Sequence, residues 1–220
     1  MNSIKNINKI LLATTNLGKI KEFYSLFEEI PFQITTPDKE KIILDVDESG
    51  STFSENAYIK ATAYMNESGI MSLADDSGIE VDALDGKPGI YSARYGGKSL
   101  SDEERVELLL KNMNGVPWQK RTARFKASIV IAWPDGKTIL KEGVFEGYID
   151  YKPKGVNGFG YDPIFFLPQY GMTSAQLSTD KKNKISHRSI ASKKILDHLQ
   201  REYNKSEIKY VLYGYFDIIK

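Results

Sequence analysis

The chain has 220 residues, with 30 basic against 29 acidic side chains, a net charge of +1, 41% apolar content and no cysteine. That size suits one sizeable core or two lobes sharing one, and an even charge balance argues against extended contact with duplex nucleic acid while leaving room for a small phosphorylated ligand. The lack of cysteine excludes disulfides, thiolate metal sites and a cysteine nucleophile together. The first residues lack a signal peptide's apolar core and no run reaches membrane-spanning length, so the expected location is cytoplasmic.

In chain order, Lys9 to Ala13 reads as a buried strand, Thr14-Thr-Asn-Leu-Gly18 as a polar turn, and Lys19 to about Glu29 as a helix. The helix rests on Ile20, Phe23, Tyr24 and Phe27, which recur on one face. A strand near Phe32 to Thr36 and a charged loop through Glu48 follow, and Ser51-Thr52 caps another helix starting at Phe53. The run Gly69 to Ala74 predicts a short strand, with Asp75 and Asp76 where it ends and the backbone turns at Ser77-Gly78. A glycine-rich loop, Gly86 to Gly97, leads to a helix from Ser101 to about Met113, whose acidic start suits the positive end of its dipole. Arg121 to Trp133 and Lys137 to Ile149, joined by Pro134-Asp-Gly136, predict an antiparallel hairpin. The loop Gly155 to Pro163 precedes a helix from about Ser186 to Tyr203, and Ile208 to Ile219 has β-type content that would pair at a sheet edge or pack on that helix. Strands alternating with helices and then a hairpin predict an α/β or α+β protein with a mixed sheet.

Five segments carry chemistry. Adjacent carboxylates such as Asp75 and Asp76 repel and are costly to bury, so they need a cation or a shared proton, unless they simply form a solvated turn. Strand, polar loop, lysine and helix around Thr14 to Lys19 make a phosphate cradle, with backbone N–H groups and the Lys19 charge facing the anion, although the Walker pattern is absent. Glu48 or Glu55 could complete a hard-cation site begun by the two aspartates; the alternative is solvated charge. Gly158-Phe-Gly-Tyr-Asp-Pro163 sets an aromatic face between glycines, suited to stacking on a base, or else a plain turn over a core phenylalanine. His187 beside Arg188 is disfavoured as a cation and would be a neutral hydrogen-bonding group, while Ser186 caps the last helix. A serine-hydrolase elbow is absent.

Five strings occur in one order: ATTNLGKIKEF at 13–23, TFSENAYIKA at 52–61, ADDSGIEVDALDGKPGIYSARYGG at 74–97, GFGYDPIF at 158–165 and KKNKISHRSIA at 181–191. Together they resemble the inosine triphosphate pyrophosphatase family, also called XTP/dITP diphosphatases, which remove deaminated purine nucleotides from the nucleotide pool. The resemblance implies an α/β fold: an elongated, mixed, twisted sheet flanked by helices, a single catalytic domain of two lobes with a central cleft, and a homodimer. It implies hydrolysis of ITP, dITP and XTP to the monophosphate and pyrophosphate with Mg²⁺. By that resemblance Thr14, Thr15, Asn16, Leu17, Gly18 and Lys19 would hold phosphates with Lys60. Glu48, at the family's spacing, would be the outlying metal ligand in place of Glu55. Asp76 would bind Mg²⁺ and activate the attacking water, Asp75 would support it, and Ser77 would touch substrate. Phe159 would stack on the base beside Gly160, Tyr161 and Asp162, and Lys182, His187 and Arg188 would read the 6-oxo edge. Arg94 is left as structural or interfacial.

Two departures stand out: Thr15 where the family commonly has glycine, and a tail from about Lys205 to Lys220 beyond its usual end. The competing readings are a related pyrophosphatase preferring pyrimidine or modified nucleotides, and a nucleotide-binding regulator without turnover, against which the intact Glu48, Asp75 and Asp76 argue.

Overall fold

The computed structural model describes residues 9–28 and 32–216, with side chains described as far as residue 202. Its strands are β1 (Lys9–Leu12), β2 (Gln33–Thr35), β3 (Ser72–Val81), β4 (Thr122–Ala132), β5 (Thr138–Ile149), β6 (Phe165–Leu167) and β7 (Met172–Thr173). The main helices are α1 (Leu17–Leu26), α2 (Phe53–Ser68), α3 (Asp102–Asn112), α4 (Thr179–Ile185) and α5 (His187–Phe216). Among the described residues the strands form one seven-stranded sheet in the order β2-β1-β3-β4-β5-β6-β7. β1 runs parallel to β2 and β3, and every later pairing is antiparallel, so the mixed α/β sheet expected from sequence is present.

Caps fix the helix starts. Asn16 accepts from the Lys19 backbone N–H, which begins α1 two residues earlier than the periodicity suggested. Thr52 caps α2 in the same way, and Ser101 with Glu104 forms a capping box on α3. The β4–β5 hairpin pairs without a gap from Thr122–Tyr148 to Ala132–Thr138, closed by Gly136 at a φ of 87°.

The sheet is covered on both faces. Ile10, Leu12, Leu73, Ile129 and Ile131 pack with Phe23 and Phe27 of the first helical segment and Ala191, Ile195 and Leu199 of α5. Leu11, Ala13, Ala74 and Val130 pack on the opposite face with Ala57, Ala61 and Tyr64 of α2. A third cluster joins the far ends of β3, β4 and β5 to α3, Phe165 and Leu177.

Three expectations are corrected. Asp75 and Asp76 do not lie at a strand end: β3 continues through them to Val81, paired residue by residue with β4. Gly78 is required by a close approach and not by a turn, because a Cβ there would meet Ser92 Oγ at 2.3 Å and the Gly89 carbonyl at 2.5 Å. The β-rich tail is likewise not a strand; α5 runs past Tyr203 to Phe216. From His187 to Tyr213 the chain has no glycine or proline to stop a helix once it is nucleated. Residues 217–219 of that stretch lie outside the described residues. No helix among the described residues is long and apolar enough to cross a membrane.

Candidate active site

A cleft of 360 Å³ opens where the β1–α1 loop, the 44–48 segment, the middle of β3, the 158–162 loop and the start of α5 converge. Its volume falls in the usual range for small-molecule sites. Thr14, Thr15, Asn16, Lys19, Glu48, Lys60, Asp76, Ser77, Phe159, Gly160, Tyr161, Asp162, Lys182, His187 and Arg188 all line it. Leu17 does not; the residue is 80% exposed. Gly18 lies under the Phe159 ring, with room for no Cβ: the nearest ring carbon would be 2.7 Å away. Glu55 also stays outside, accepting from Ser51 at the start of α2.

Because successive strand residues face opposite sides, Asp75 and Asp76 point away from each other. Asp75 is buried beneath the cleft and does not line it. Its carboxylate takes Lys19 at 2.9 Å and Arg188 at 3.1 Å, and accepts from the Ser77 hydroxyl at 2.9 Å. Burial alone would raise its pKa, but Arg188 and then Lys19 outweigh that and hold it below the usual carboxylate range. Asp76 faces α2, with Lys60 3.8 Å away. There burial prevails over Lys60 and Lys19, and its pKa is raised. Lys60 also binds Glu48 at 2.5 Å, and Arg94 sits 3.7 Å from the other Glu48 oxygen.

On the opposite wall Asp162 accepts from the Phe159 backbone N–H at 3.0 Å and from Lys182 at 2.5 Å. Tyr161 donates to the Ser92 carbonyl at 2.9 Å, and the Gly160 N–H donates to Asp102 at 2.9 Å. These ties fix the aromatic loop from three sides. His187 is buried, stacked on Phe125 with ring centroids 4.8 Å apart, and its Nδ1 has no partner. Burial first, and Arg188 second, push its pKa well down, so it is a neutral imidazole as the sequence reading expected.

A sequence model of the Ham1 family matches residues 10–198. The chain belongs to the Ham1 family. The dITP/XTP pyrophosphatase of Halalkalibacterium halodurans is 46% identical over 84% of this chain and 95% of its own length. That of Desulforamulus reducens is 45% identical over 91% of this chain and all of its own length. Among solved structures, the Ham1 protein of Coxiella burnetii superposes with a TM-score of 0.80 at 36% identity, covering 88% of this chain and 98% of its own. The Staphylococcus aureus Ham1 protein gives 0.79 at 41% identity over 88% of this chain and 99% of its own.

Two acidic side chains that bind predicted residues of this Ham1 site were not foreseen. Glu22 on α1 is buried and binds Lys182 at 2.9 Å and Arg188 through a short charged contact. Burial would raise its pKa, but Arg188 and Lys182 bring it down to about 2. Its position was marked by spacing: Glu22 follows Lys19 by three, hence shares its helical face. Asp102 was seen only as a favourable charge at a helix start, and no local signal linked it to Gly160. Arg94, left as structural or interfacial, lines the cleft beside Glu48.

Among the described residues no three acidic or histidine side chains converge closely enough to hold a metal ion alone. Asp76 Oδ2, however, is buried without a partner, and Glu48 lies across Lys60 from it. A hard divalent ion that keeps its waters and takes phosphate oxygens needs only one or two such carboxylates, so the donor set fits one.

Proposed function

We propose that this protein hydrolyses deaminated purine nucleoside triphosphates, dITP, ITP and XTP, to the monophosphate and pyrophosphate. One observation carries the reading: a single cleft sets an unpartnered buried carboxylate oxygen, on Asp76, between lysines on one side and an aromatic, donor-bearing wall on the other. A triphosphate needs the first side and a base the second. Membership of the Ham1 family, whose relatives at 41–46% identity carry the name dITP/XTP pyrophosphatase, supports the same substrate class.

In this reading the N-terminus of α1 and the Thr14–Asn16 loop receive the phosphates, with Lys19 and Lys60 offsetting their charge. Lys19 is pre-positioned by Asp75 and needs no reorganisation on binding. Asp76 accepts the proton of the attacking water through its buried, unpartnered Oδ2. Glu48 and Asp76 would hold Mg²⁺, which when bound supplies charge neutralisation at the reacting phosphate. Phe159 offers its ring to the base. Lys182 and Arg188 spend most of their N–H groups on Glu22, Asp162, Asp75 and Ser77, leaving few donors, with the neutral His187, for a 6-oxo edge. A 6-amino purine would set donor against donor there. A cytoplasmic location and the homodimer implied by resemblance belong to the same proposal.

The test is product identity. With dITP, ³¹P NMR should show dIMP and pyrophosphate and no orthophosphate; dIDP plus orthophosphate would mean that the nucleotide binds in another register.

A further inference from the structure

Granted the triphosphate cleft proposed above, we infer that Lys60 keeps the divalent-cation site closed until a nucleotide arrives. The Lys60 ammonium lies between the two acids that fit the ion, 2.5 Å from Glu48 Oε1 and 3.8 Å from Asp76 Oδ1. Its side chain is only 12% exposed, so water screens these contacts poorly. Arg94 stands 3.7 Å from the second Glu48 oxygen. Two carboxylates thus face two cations, and a dication approaching from solvent finds no net charge to attract it and an ammonium in its path. Yet Asp76 Oδ2 is buried with no partner, an acceptor that no protein group satisfies.

The two lysines of the cleft differ in what holds them. Lys19 is anchored by Asp75, which does not line the cleft and is held in turn by Arg188. Lys60 is held by the very acids the ion would use. An ammonium on a flexible four-carbon stem moves readily toward a stronger anion, and a triphosphate is one. Drawing Nζ toward phosphate leaves Glu48 and Asp76 with Arg94 as their one remaining counter-cation, hence one uncompensated negative charge beside fresh phosphate oxygens, the hard-oxygen set a divalent ion prefers. Lys60 therefore makes ion binding conditional on substrate: nucleotide enters first or together with the ion, and the ion alone is refused.

Mn²⁺ alone serves as the probe, titrated into the full chain and followed by loss of the free-ion EPR signal. Lys60→Met keeps the stem and removes the charge, and should bind Mn²⁺ at least about tenfold more tightly than the parent. Adding Glu48→Gln should abolish that gain. The parent should also bind a non-hydrolysable α,β-methylene dITP in the presence of EDTA, measured by calorimetry. Equal Mn²⁺ affinity for parent and Lys60→Met would overturn the inference. Should the variant fail to fold by circular dichroism, the parent decides alone: Mn²⁺ binding without nucleotide, coupled with no nucleotide binding in EDTA, reverses the order. Pyrophosphate release from dITP is scored separately. Its absence alongside the expected Mn²⁺ behaviour would strike the proposed activity and leave the role of Lys60 standing.

Discussion

Replacing Glu22 by glutamine tests the charge network that ties α1 to the base wall. The side chain is 10% exposed and its carboxylate serves two buried cations, Lys182 and Arg188, which keep Asp162 and Asp75 as second partners. Holding a glutamate at about pKa 2 in the folded state corresponds to about 3 kcal/mol of stability at neutral pH. That matches the lower end of the ~3–5 kcal/mol expected when one partner of a buried ion pair is removed. For a chain of this size the melting temperature of Glu22→Gln should fall by roughly 6–12 °C at pH 7. The sign with pH follows from the depressed pKa: the stabilisation is complete above about pH 4.3, the unfolded glutamate's value, and is lost as pH drops toward about 2. Thermal unfolding of parent and variant by circular dichroism from pH 7 to pH 3 checks both points. A gap below about 2 °C at neutral pH, or one that does not narrow below pH 4, would refute the reasoning.

Asp76→Asn should keep the melting temperature within a few degrees and abolish turnover, since an amide cannot take the proton; pyrophosphate release within a few-fold of the parent would remove Asp76 from its role. Gly143→Ala should destabilise the protein by about 1–3 kcal/mol and depress kcat/KM for dITP, because the new Cβ would lie 2.0 Å from the His187 carbonyl and displace the start of α5. Unchanged melting and kinetics would show that the hairpin yields without moving α5. Arg188→Ala should erode the preference for ITP over ATP in competition assays as well as lowering the overall rate; a uniform loss on both nucleotides would leave Arg188 a purely structural group.

What could be read from the chain, and what could not, divides along physical lines. The helices announced themselves through the apolar spacing of α1, the cap at Thr52 and the acidic start of α3, and the β4–β5 hairpin through Pro134-Asp-Gly136, because these are local signals. The ADDSG segment misled, because a glycine after two aspartates reads as a turn when only sequence is in view. In the fold Gly78 makes room for Ser92 from fourteen residues downstream, and the strand carries on. The same error set the two carboxylates side by side, whereas the pleat sends Asp75 to Lys19 and Arg188 and Asp76 toward Lys60. Glu22 stayed hidden because its partners lie 160 and 166 residues away. Local order and motif strings thus reached the family and the cleft's lining, while the pairing of charges across it required the fold.

Selectivity among purine triphosphates tests the central claim most directly. Steady-state kcat/KM measured for dITP and XTP against dATP and dGTP, with pyrophosphate as the readout, should favour the 6-oxo, deaminated substrates over dATP by up to roughly 10⁴-fold, the scale reached when a site built around hydrogen bonds meets a mispaired ligand. Discrimination against dGTP should be weaker, because dGTP keeps the 6-oxo group and differs at the 2-amino edge. Hydrolysis of dATP as efficient as that of dITP would contradict the account and leave a general nucleotide pyrophosphatase in its place.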